Sequence, residues 1–352
     1  SIKLQLEDKV GNAVEKEWSF KVADVARNLY FGQLHSHTNL SDGQGTIDEA
    51  YTYAKNQAKV DFLAVTDHSN SFDNDTQASI ADGSMSTKWN TGLAAADKYN
   101  EDGVFTALYA YEMTWSAGTG KYGHMNTFNT PGFETRTNAA MDLKSYYNAL
   151  KTQEQSVSQF NHPGTTFGDF VDFGFYDEQV DELITLIEVG NGDGPIRGSG
   201  HFPSYEYYTR ALDKGWHVAP TNNQDNHKGL WGNANTARTV IEAEELTRES
   251  LYEAIRERRV YSTEDENLEI SYELNGATMG SILSEQSEAN VVVTVLDPDA
   301  GDTIDKIQLI TDGGRVAHEV TNVNATEKEW KLTFTPDASS TYYYVKVVQG
   351  DK

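Results

Sequence analysis

Residues 30–43 read YFGQLHSHTNLSDG, a short apolar stretch that runs into two histidines and an aspartate. The stretch Tyr30–Leu34 is typical of a buried strand, because it is short and mostly apolar. His35 and His37 follow at positions i and i+2, so both side chains leave the strand end on one face. Two imidazoles on one face can bind one metal ion, and Asp42 adds a carboxylate nearby. The segment predicts a strand that ends in metal ligands.

Short apolar stretches alternate with amphipathic segments from Tyr30 to about Thr263. The first amphipathic segment begins with the capping box Thr46-x-x-Glu49, followed by apolar residues at helical spacing. Alternation of this kind indicates βα units with parallel strands. Seven such repeats predict an α/β fold, a parallel (β/α)7 barrel of the TIM-like kind. The predicted strands are Tyr30–Leu34, Val60–Thr66, Val104–Tyr111, Ser156–Phe160, Leu183–Val189, His217–Thr221 and Arg238–Glu242.

Imidazoles and carboxylates follow the ends of five of these predicted strands. In a parallel barrel the carboxyl ends of the strands meet at one face, where active sites form. The chain has no cysteine, and ligands of imidazole and carboxylate without thiolate suit Zn, Mn or Fe. We therefore expect a metal centre at that face. The candidate ligands are His35, His37, Asp42, His68, Glu112, His124, His162, Asp225 and His227.

Three further residues are candidates for a catalytic role beside Glu112. Asp67 precedes His68 and either orients an imidazole or is an ordinary carboxylate at a strand end. The segment Gly190–Gly200 has five glycines among its eleven residues. It either brings backbone amides and Arg197 onto a phosphate or is a surface loop. His201 either protonates a leaving group or caps the next helix.

The chain divides into three parts by pattern. Residues 1–25 alternate around a turn at Gly11-Asn12 and predict a β-hairpin that packs on a β-domain. Residues 26–265 form the predicted barrel. Residues 266–352 alternate again and predict a small antiparallel β-sandwich of Ig-like type, with strands in 291–295, 306–310, 330–334 and 342–348. This accessory domain either packs on the barrel or attaches the protein to a cell surface.

Composition excludes several classes of function. Acidic residues outnumber basic ones 54 to 28, a net charge of −26, which argues against binding a nucleic acid polymer or an anionic membrane. Without cysteine there is no thiolate catalysis and no disulfide. No apolar run is long enough to predict a transmembrane helix. The chain begins at Ser1 without a signal segment, so we expect a processed bacterial protein, secreted or on the cell surface.

Taken in order, these motifs resemble the PHP (polymerase and histidinol phosphatase) family. The resemblance rests on His35-x-His37, Thr66-Asp67-His68, the lone Glu112, the later His124 and His162, and the closing Asp225-x-His227. It implies a distorted barrel of seven βα units with a three-metal centre. The segment from Ala254 to Thr263, then Asn275-Gly and Met279-Gly, is similar to the branch named for the carbaryl hydrolases CehA and McbA. In that branch a β-domain follows the barrel.

The resemblance also implies how two to three divalent ions (Zn, Mn or Fe) would be shared. Three such ions and three ligand carboxylates would leave the pocket at about +3, so the ions would govern the binding of an anionic substrate despite the acidic surface. The implied sets are His35, His37, Glu112 and Asp225; Glu112, His124 and His162; and Asp42, His68 and His227.

The expected function is hydrolysis of a small phosphoester by a hydroxide that bridges metal ions, which lower the pKa of water to about 7. One alternative keeps the metals and hydrolyses a carbamate or carboxyl ester. A second is a surface adhesion or glycan-binding protein in which the barrel is inert. Under the ester alternative, aromatic loop residues would bind an apolar group: Trp89, Trp115, Phe167, Phe170, Phe202 and Trp231.

Overall fold

The computed structural model describes residues 2–7, 9, 13–18, 26–116 and 120–350. At the amino end, strands β1 (Ile2–Glu7) and β2 (Ala13–Trp18) pair antiparallel, as the hairpin prediction requires. The turn predicted at Gly11-Asn12 lies outside the described residues. The packing of this hairpin on a β-domain stays a prediction.

The main unit is a single curled sheet of mixed strand direction. Nine of its ten strands follow one another in the order β10-β8-β7-β6-β5-β4-β3-β11-β12, and β9 pairs with β8. Asn222 in β10 donates to Thr239 Oγ1 at 3.1 Å and to the Thr263 carbonyl at 3.3 Å, so the two ends of the sheet lie side by side. Its strands are β3 (Asn28–Gln33), β4 (Phe62–Val65), β5 (Thr106–Thr114), β6 (His124–Phe128), β7 (Val157–Asn161), β8 (Ile184–Asn191), β9 (Phe202–Pro203), β10 (Ala219–Asn223), β11 (Arg238–Ala243) and β12 (Val260–Thr263).

The predicted (β/α)7 barrel is wrong. All seven predicted strands overlap observed ones, but β6 pairs antiparallel with both β5 and β7, and β11 pairs antiparallel with β3 and β12. Residues 115–123 between β5 and β6 are too few for the crossover of about a dozen residues that parallel neighbours need. The segment around His124, for which no strand was predicted, therefore forms one. Strand direction depends on such connections, which the apolar pattern does not reveal.

Short helices cover the outside of the sheet. The predicted capping box is confirmed, since Thr46 Oγ1 accepts from Glu49 N at 3.2 Å and Glu49 Oε2 accepts from Thr46 N at 2.7 Å. The helices are α1 (Ile47–Tyr53, continued by a π-helical turn at Ala54–Ala58), α2 (Thr87–Tyr99), α3 (Leu143–Leu150), α4 (Phe170–Phe173), α5 (Glu178–Asp181), α6 (Tyr205–Asp213) and α7 (Arg248–Arg256).

Strand alternation divides the core between the two faces of the curled sheet. In β5, Tyr109 and Tyr111 point outward against the helices, while Leu108 and Ala110 point into the concave side. Glu112, near the carboxyl end of β5, also points into the concave side. Helix α7 closes the opposite end, where Arg248 donates to the Ala107 carbonyl at 2.8 Å. The concave side thus has an apolar floor at one end and a polar edge at the other.

The C-terminal unit consists of two small antiparallel sheets, in the orders β14-β13-β15-β18 and β17-β16-β19. They share one core that includes Val293, Ile307 and Leu309. The four predicted strands fall in β15, β16, β18 and β19. No helix in the described ranges is long and apolar enough to span a membrane. The strands are β13 (Glu269–Leu274), β14 (Ala277–Thr278), β15 (Ala289–Leu296), β16 (Ile304–Thr311), β17 (Arg315–Val320), β18 (Glu327–Phe334) and β19 (Tyr344–Gln349).

Candidate metal centre

The predicted ligands meet at one edge of the sheet even though the strands are not all parallel. His68 and Glu112 face each other in a parallel bridge at the ends of β4 and β5. His124 lies at the start of β6, opposite Thr114 and Asn161 in register. Because β6 is antiparallel, its amino end lies beside the carboxyl ends of its neighbours. An antiparallel strand thus delivers its first residue to the edge where parallel strands deliver their last.

The nine predicted ligands form overlapping groups whose ligand atoms lie within 4.8 Å of one another. Glu112 and the histidines of the His35-x-His37 motif each belong to two groups. Glu112 is shared between two groups, as the resemblance implies, but His35, His37 and His162 are shared as well, which the resemblance does not imply. The groups are His35, His37 and Glu112; Glu112, His124 and His162; His35, His162 and Asp225; and His37, Asp42, His68 and His227.

Glu112 lies at the middle of the cluster and is 1% exposed. Burial alone would raise the pKa of Glu112, but the charges of His68, His124 and His35 hold that pKa well below its usual range. Its carboxylate is therefore ionised and faces imidazoles on both oxygens. From Oε1 the distances are 3.1 Å to His124 Nδ1, 3.4 Å to His35 Nε2 and 3.5 Å to His162 Nε2, and from Oε2 they are 2.6 Å to His68 Nδ1 and 3.6 Å to His37 Nε2.

Two further carboxylates flank the imidazoles. Asp225 Oδ1 is 2.9 Å from His37 Nε2 and 3.2 Å from His35 Nε2. Burial alone would raise the pKa of Asp225, but these two histidines hold that pKa below its usual range. Asp42 Oδ1 is 3.3 Å from His227 Nε2, and this hydrogen bond holds the pKa of Asp42 below its usual range. Burial would lower the pKa of His227, but Asp42 and Asp225 raise it to about 9.

The cluster leaves buried polar atoms that a cation would satisfy. Among the described residues, Glu112 Oε2, Asp225 Oδ1 and His162 Nδ1 have no hydrogen-bond partner of suitable geometry. Imidazole nitrogens nevertheless lie 2.6 Å from the first and 2.9 Å from the second. Each such atom left alone costs about 1–3 kcal/mol. The donor set of nitrogen and oxygen therefore fits divalent Zn, Mn or Fe.

Two of the ligands occupy strained backbone positions. His162 has φ of +24° and Asp225 has φ of +47°, in the left-handed region that side chains other than glycine seldom adopt. Each strained residue costs about 1–3 kcal/mol, and such strain concentrates at functional sites. Hydrogen bonds to distant residues hold both segments in place. His162 N donates to Glu188 Oε2 at 2.8 Å, and the carbonyl of Asn226, the residue after Asp225, accepts from His37 N at 3.0 Å.

Sequence reasoning missed Glu188, a fully buried acid in β8. Its Oε1 lies 2.9 Å from His35 Nδ1 and accepts from Asn223 Nδ2 at 3.0 Å. Because an ionised carboxylate only accepts, His35 Nδ1 donates to it and Nε2 keeps its lone pair toward the cluster. The available signal was an acid two residues after Leu186, on the concave face of an otherwise apolar strand.

A layer of buried amides supports the ligands from below. Asn161 Nδ2 donates to Glu112 Oε1 and to Asn126 Oδ1, both at 2.9 Å, and Gln159 Nε2 donates to Asn161 Oδ1 at 2.9 Å. All three amides are fully buried. None of these amides was identified as functional from the sequence. Polar residues at alternate positions of apolar strands are the pattern that marks them.

Asp67 anchors the segment that carries two ligands. Its Oδ1 accepts from Thr38 N at 2.8 Å and from Ser41 N at 3.1 Å, while Oδ2 accepts from Thr38 Oγ1 at 2.6 Å. Ser41 Oγ bonds Asp67 and lies 3.4 Å from His37 Nδ1. The carboxylate thus acts on His37 through Ser41, whereas the sequence suggested the adjacent His68.

We expect Asp67→Ala to lower the free energy of unfolding by about 2–4 kcal/mol, because the Thr38 and Ser41 amides would lose their acceptor. Asp67→Asn should lose much less. Its carbonyl can keep the Oδ1 bonds, while the Thr38 hydroxyl turns to accept from the new amide. Urea unfolding of both variants measures the difference. Equal losses in the two variants would show that the charge, rather than the hydrogen bonds, matters.

The structure does not bring Arg197 and His201 into the cluster by direct contact. Arg197 Nε lies 3.4 Å from Glu264 Oε2, and its side chain is 56% exposed. His201 is buried, accepts from Arg197 N at 3.3 Å, and has its pKa lowered by burial. No hydrogen bond or ion pair within the described ranges joins either side chain to the nine predicted ligands. Their catalytic roles stay predictions.

Of the six aromatic residues proposed to bind an apolar group, four are core residues. Trp89, Trp115, Phe170 and Trp231 are at most 3% exposed. Phe167 and Phe202 are 44% and 62% exposed. Only these two can contact a substrate.

Comparison with known proteins supports the fold. The family described as "Protein of unknown function (DUF3604)" matches residues 56–158, which include His68, Glu112 and His124. An uncharacterized protein of Chlamydia pneumoniae is 22% identical over 372 residues, covering 94% of this chain and 56% of that protein. The chain thus spans little more than half the length of that relative.

A solved structure is similar to this chain in fold. It is a two-domain protein from Bacteroides vulgatus that contains a predicted PHP-like metal-dependent phosphoesterase. It matches with a TM-score of 0.50 and 15% identity over 95% of this chain and 100% of that one. The likeness is one of fold. The finer resemblance to the CehA and McbA branch stays a prediction.

Proposed function

We propose that this chain is a metal-dependent hydrolase of small phosphoesters. The observation that carries the proposal is the overlap of the ligand groups at Glu112, whose two oxygens face five imidazoles within 3.6 Å. Adjacent cation sites that share a carboxylate are suited to phosphoester hydrolysis. The likeness of fold to a protein that contains a predicted PHP-like phosphoesterase supports the same class of reaction.

Exposure across the cluster indicates where a substrate would enter. The side chains of His162 and His124 are 7% and 11% exposed, whereas those of His227 and Asp42 are 33% and 59% exposed. The cluster therefore opens to solvent on the Asp42 side. A phosphoester would approach from there, with its phosphorus toward the shared Glu112.

Divalent ions held in this cluster would polarise the phosphoryl oxygens and lower the pKa of water to about 7. The chain itself supplies the ligands and their orientation. Glu188 fixes the tautomer of His35, and Asp67 holds the loop of Asp42. Lys228 follows His227, and its ammonium forms an ion pair with Asp193 at 2.8 Å.

We expect the protein to hold two to three Zn, Mn or Fe ions and to hydrolyse p-nitrophenyl phosphate. Chelation should reduce the rate by more than about 100-fold, because an ion is needed to make water nucleophilic near pH 7. Elemental analysis before and after chelation, with add-back of Mn and Zn, measures both quantities.

Parallel assays separate the proposal from its alternatives. Bis-p-nitrophenyl phosphate distinguishes diester from monoester preference. Hydrolysis of 1-naphthyl acetate without cleavage of either phosphoester would replace the proposal with ester hydrolysis. Phosphoester cleavage that persists in metal-free protein would refute it.

A further inference from the structure

An exposed aromatic ring covers two imidazoles of the cluster. The Phe167 ring centroid lies 4.8 Å from that of His124 and 4.8 Å from that of His162. The ring is nevertheless 44% exposed. One part of the ring therefore packs on the candidate ligands, and the other part faces solvent beside them.

The loop that carries Phe167 is tightly held. Gly164 and Gly168 exchange two backbone hydrogen bonds of 2.9 Å. Gly168 has φ of +135°, and a Cβ there would lie 2.5 Å from the Lys121 carbonyl oxygen, so only glycine fits. Phe170 N also donates to the Tyr122 carbonyl at 2.7 Å. The backbone thus presents the ring in a fixed position.

The ring lies over His124 and His162, whose side chains are less exposed than those of His227 and Asp42. His124 and His162 lie beneath it, while the exposed Asp42 and His227 belong to another ligand group. A substrate that enters on the Asp42 side with its phosphorus at Glu112 would extend its ester group toward Phe167. A flat apolar surface at that position favours an aryl or other apolar group over a small alkyl or polyhydroxyl group.

We propose that Phe167 is a specificity-determining residue that selects phosphoesters of aromatic or bulky apolar alcohols. The proposal rests on the proposed function, because it places phosphorus at the metal cluster. An alternative is that the ring only shields the two imidazoles from water. The two roles differ in what removal of the ring changes: selectivity in the first case, metal retention in the second.

Titration calorimetry of the metal-loaded protein with phenylphosphonate and methylphosphonate tests the proposal without turnover. We expect the wild-type protein to prefer the phenyl ligand, and Phe167→Ala to reduce that preference about tenfold, a typical effect of losing an aromatic contact. Phe167→Tyr should retain it. The matched control is Phe175→Ala, since Phe175 is 48% exposed and makes no ring contact with a histidine among the described residues. That control should leave the preference unchanged.

Metal analysis and phosphatase assays decide between the outcomes. Metal content equal to wild type in Phe167→Ala, with reduced phenyl preference, supports the proposal. Loss of metal from that variant, or equal affinity of the wild-type protein for both ligands, overturns it while the proposed function stands. If the wild-type protein cleaves no phosphoester, neither the monoesters phenyl phosphate and methyl phosphate nor the diester bis-p-nitrophenyl phosphate, the proposed function fails and this inference fails with it.

Discussion

Glu112→Gln is expected to release most of the bound metal and to reduce phosphoester hydrolysis by more than about 100-fold, since loss of even an outer partner of a metal ligand costs about 10–100-fold. The carboxylate faces five imidazoles. Glutamine offers one acceptor oxygen, and its amide hydrogens point at imidazole lone pairs. Elemental analysis and p-nitrophenyl phosphate kinetics measure the two losses.

A buried glutamate outside the cluster serves as the control for this variant. Glu134 is 6% exposed, and its Oε1 accepts from Ile80 N at 2.9 Å, a bond that glutamine can keep. Glu134→Gln should retain metal and activity. If Glu112→Gln keeps full metal content, the assignment of Glu112 as the shared ligand is wrong. Circular dichroism of both variants verifies that they fold.

Glu188→Gln is expected to weaken metal affinity about 10–100-fold, the usual effect of losing the partner that orients a ligating histidine. An amide in place of the carboxylate can still accept from His35 Nδ1, but it removes the charge that raises the basicity of the ring. Its NH₂ group would also replace one of two oxygens that now accept hydrogen bonds from His162 N and Asn223 Nδ2. Competition with a chromogenic chelator measures the affinity.

In Glu188→Gln, the ligand group that loses its metal ion distinguishes a local effect on His35 from a general loss of protein stability. Because Glu188 contacts His35 and the His162 backbone, metal loss should be greatest at the groups that contain those residues. Glu154→Gln, a change of an exposed residue, should leave metal affinity at the wild-type value. Unaltered affinity in Glu188→Gln would mean that packing alone orients His35.

The sequence predicted which side chains lie close together better than it predicted the fold around them. His35, His37, His68 and Glu112 were recognised because histidines and acids directly follow apolar stretches, and strand ends bring such residues to one edge. His124 also lies at this edge, although no strand was predicted there. One edge of the sheet contains the carboxyl ends of the parallel strands and the amino ends of the antiparallel ones. The prediction of the ligands therefore did not depend on strand direction.

The supporting residues were harder to recognise, because their roles depend on contacts between distant segments. Glu188 reaches His35 across 153 positions of sequence, and Asp67 reaches Thr38 across 29. A single buried acid in an apolar strand has no local partner that would identify its function. Only the folded arrangement shows which imidazole it orients.

The sequence by itself determined the approximate positions of seven strands of the curled sheet and four of the C-terminal unit, the first helix cap and the nine candidate ligands, because these follow from local periodicity, hydrogen bonding and side-chain chemistry. Only the tertiary structure decided that β6 and β11 run antiparallel, that the sheet curls instead of forming a βα barrel, and that Phe167 lies over His124 and His162. The reason is physical: strand direction and ring contacts depend on how short connections fold and on residues far apart in the chain.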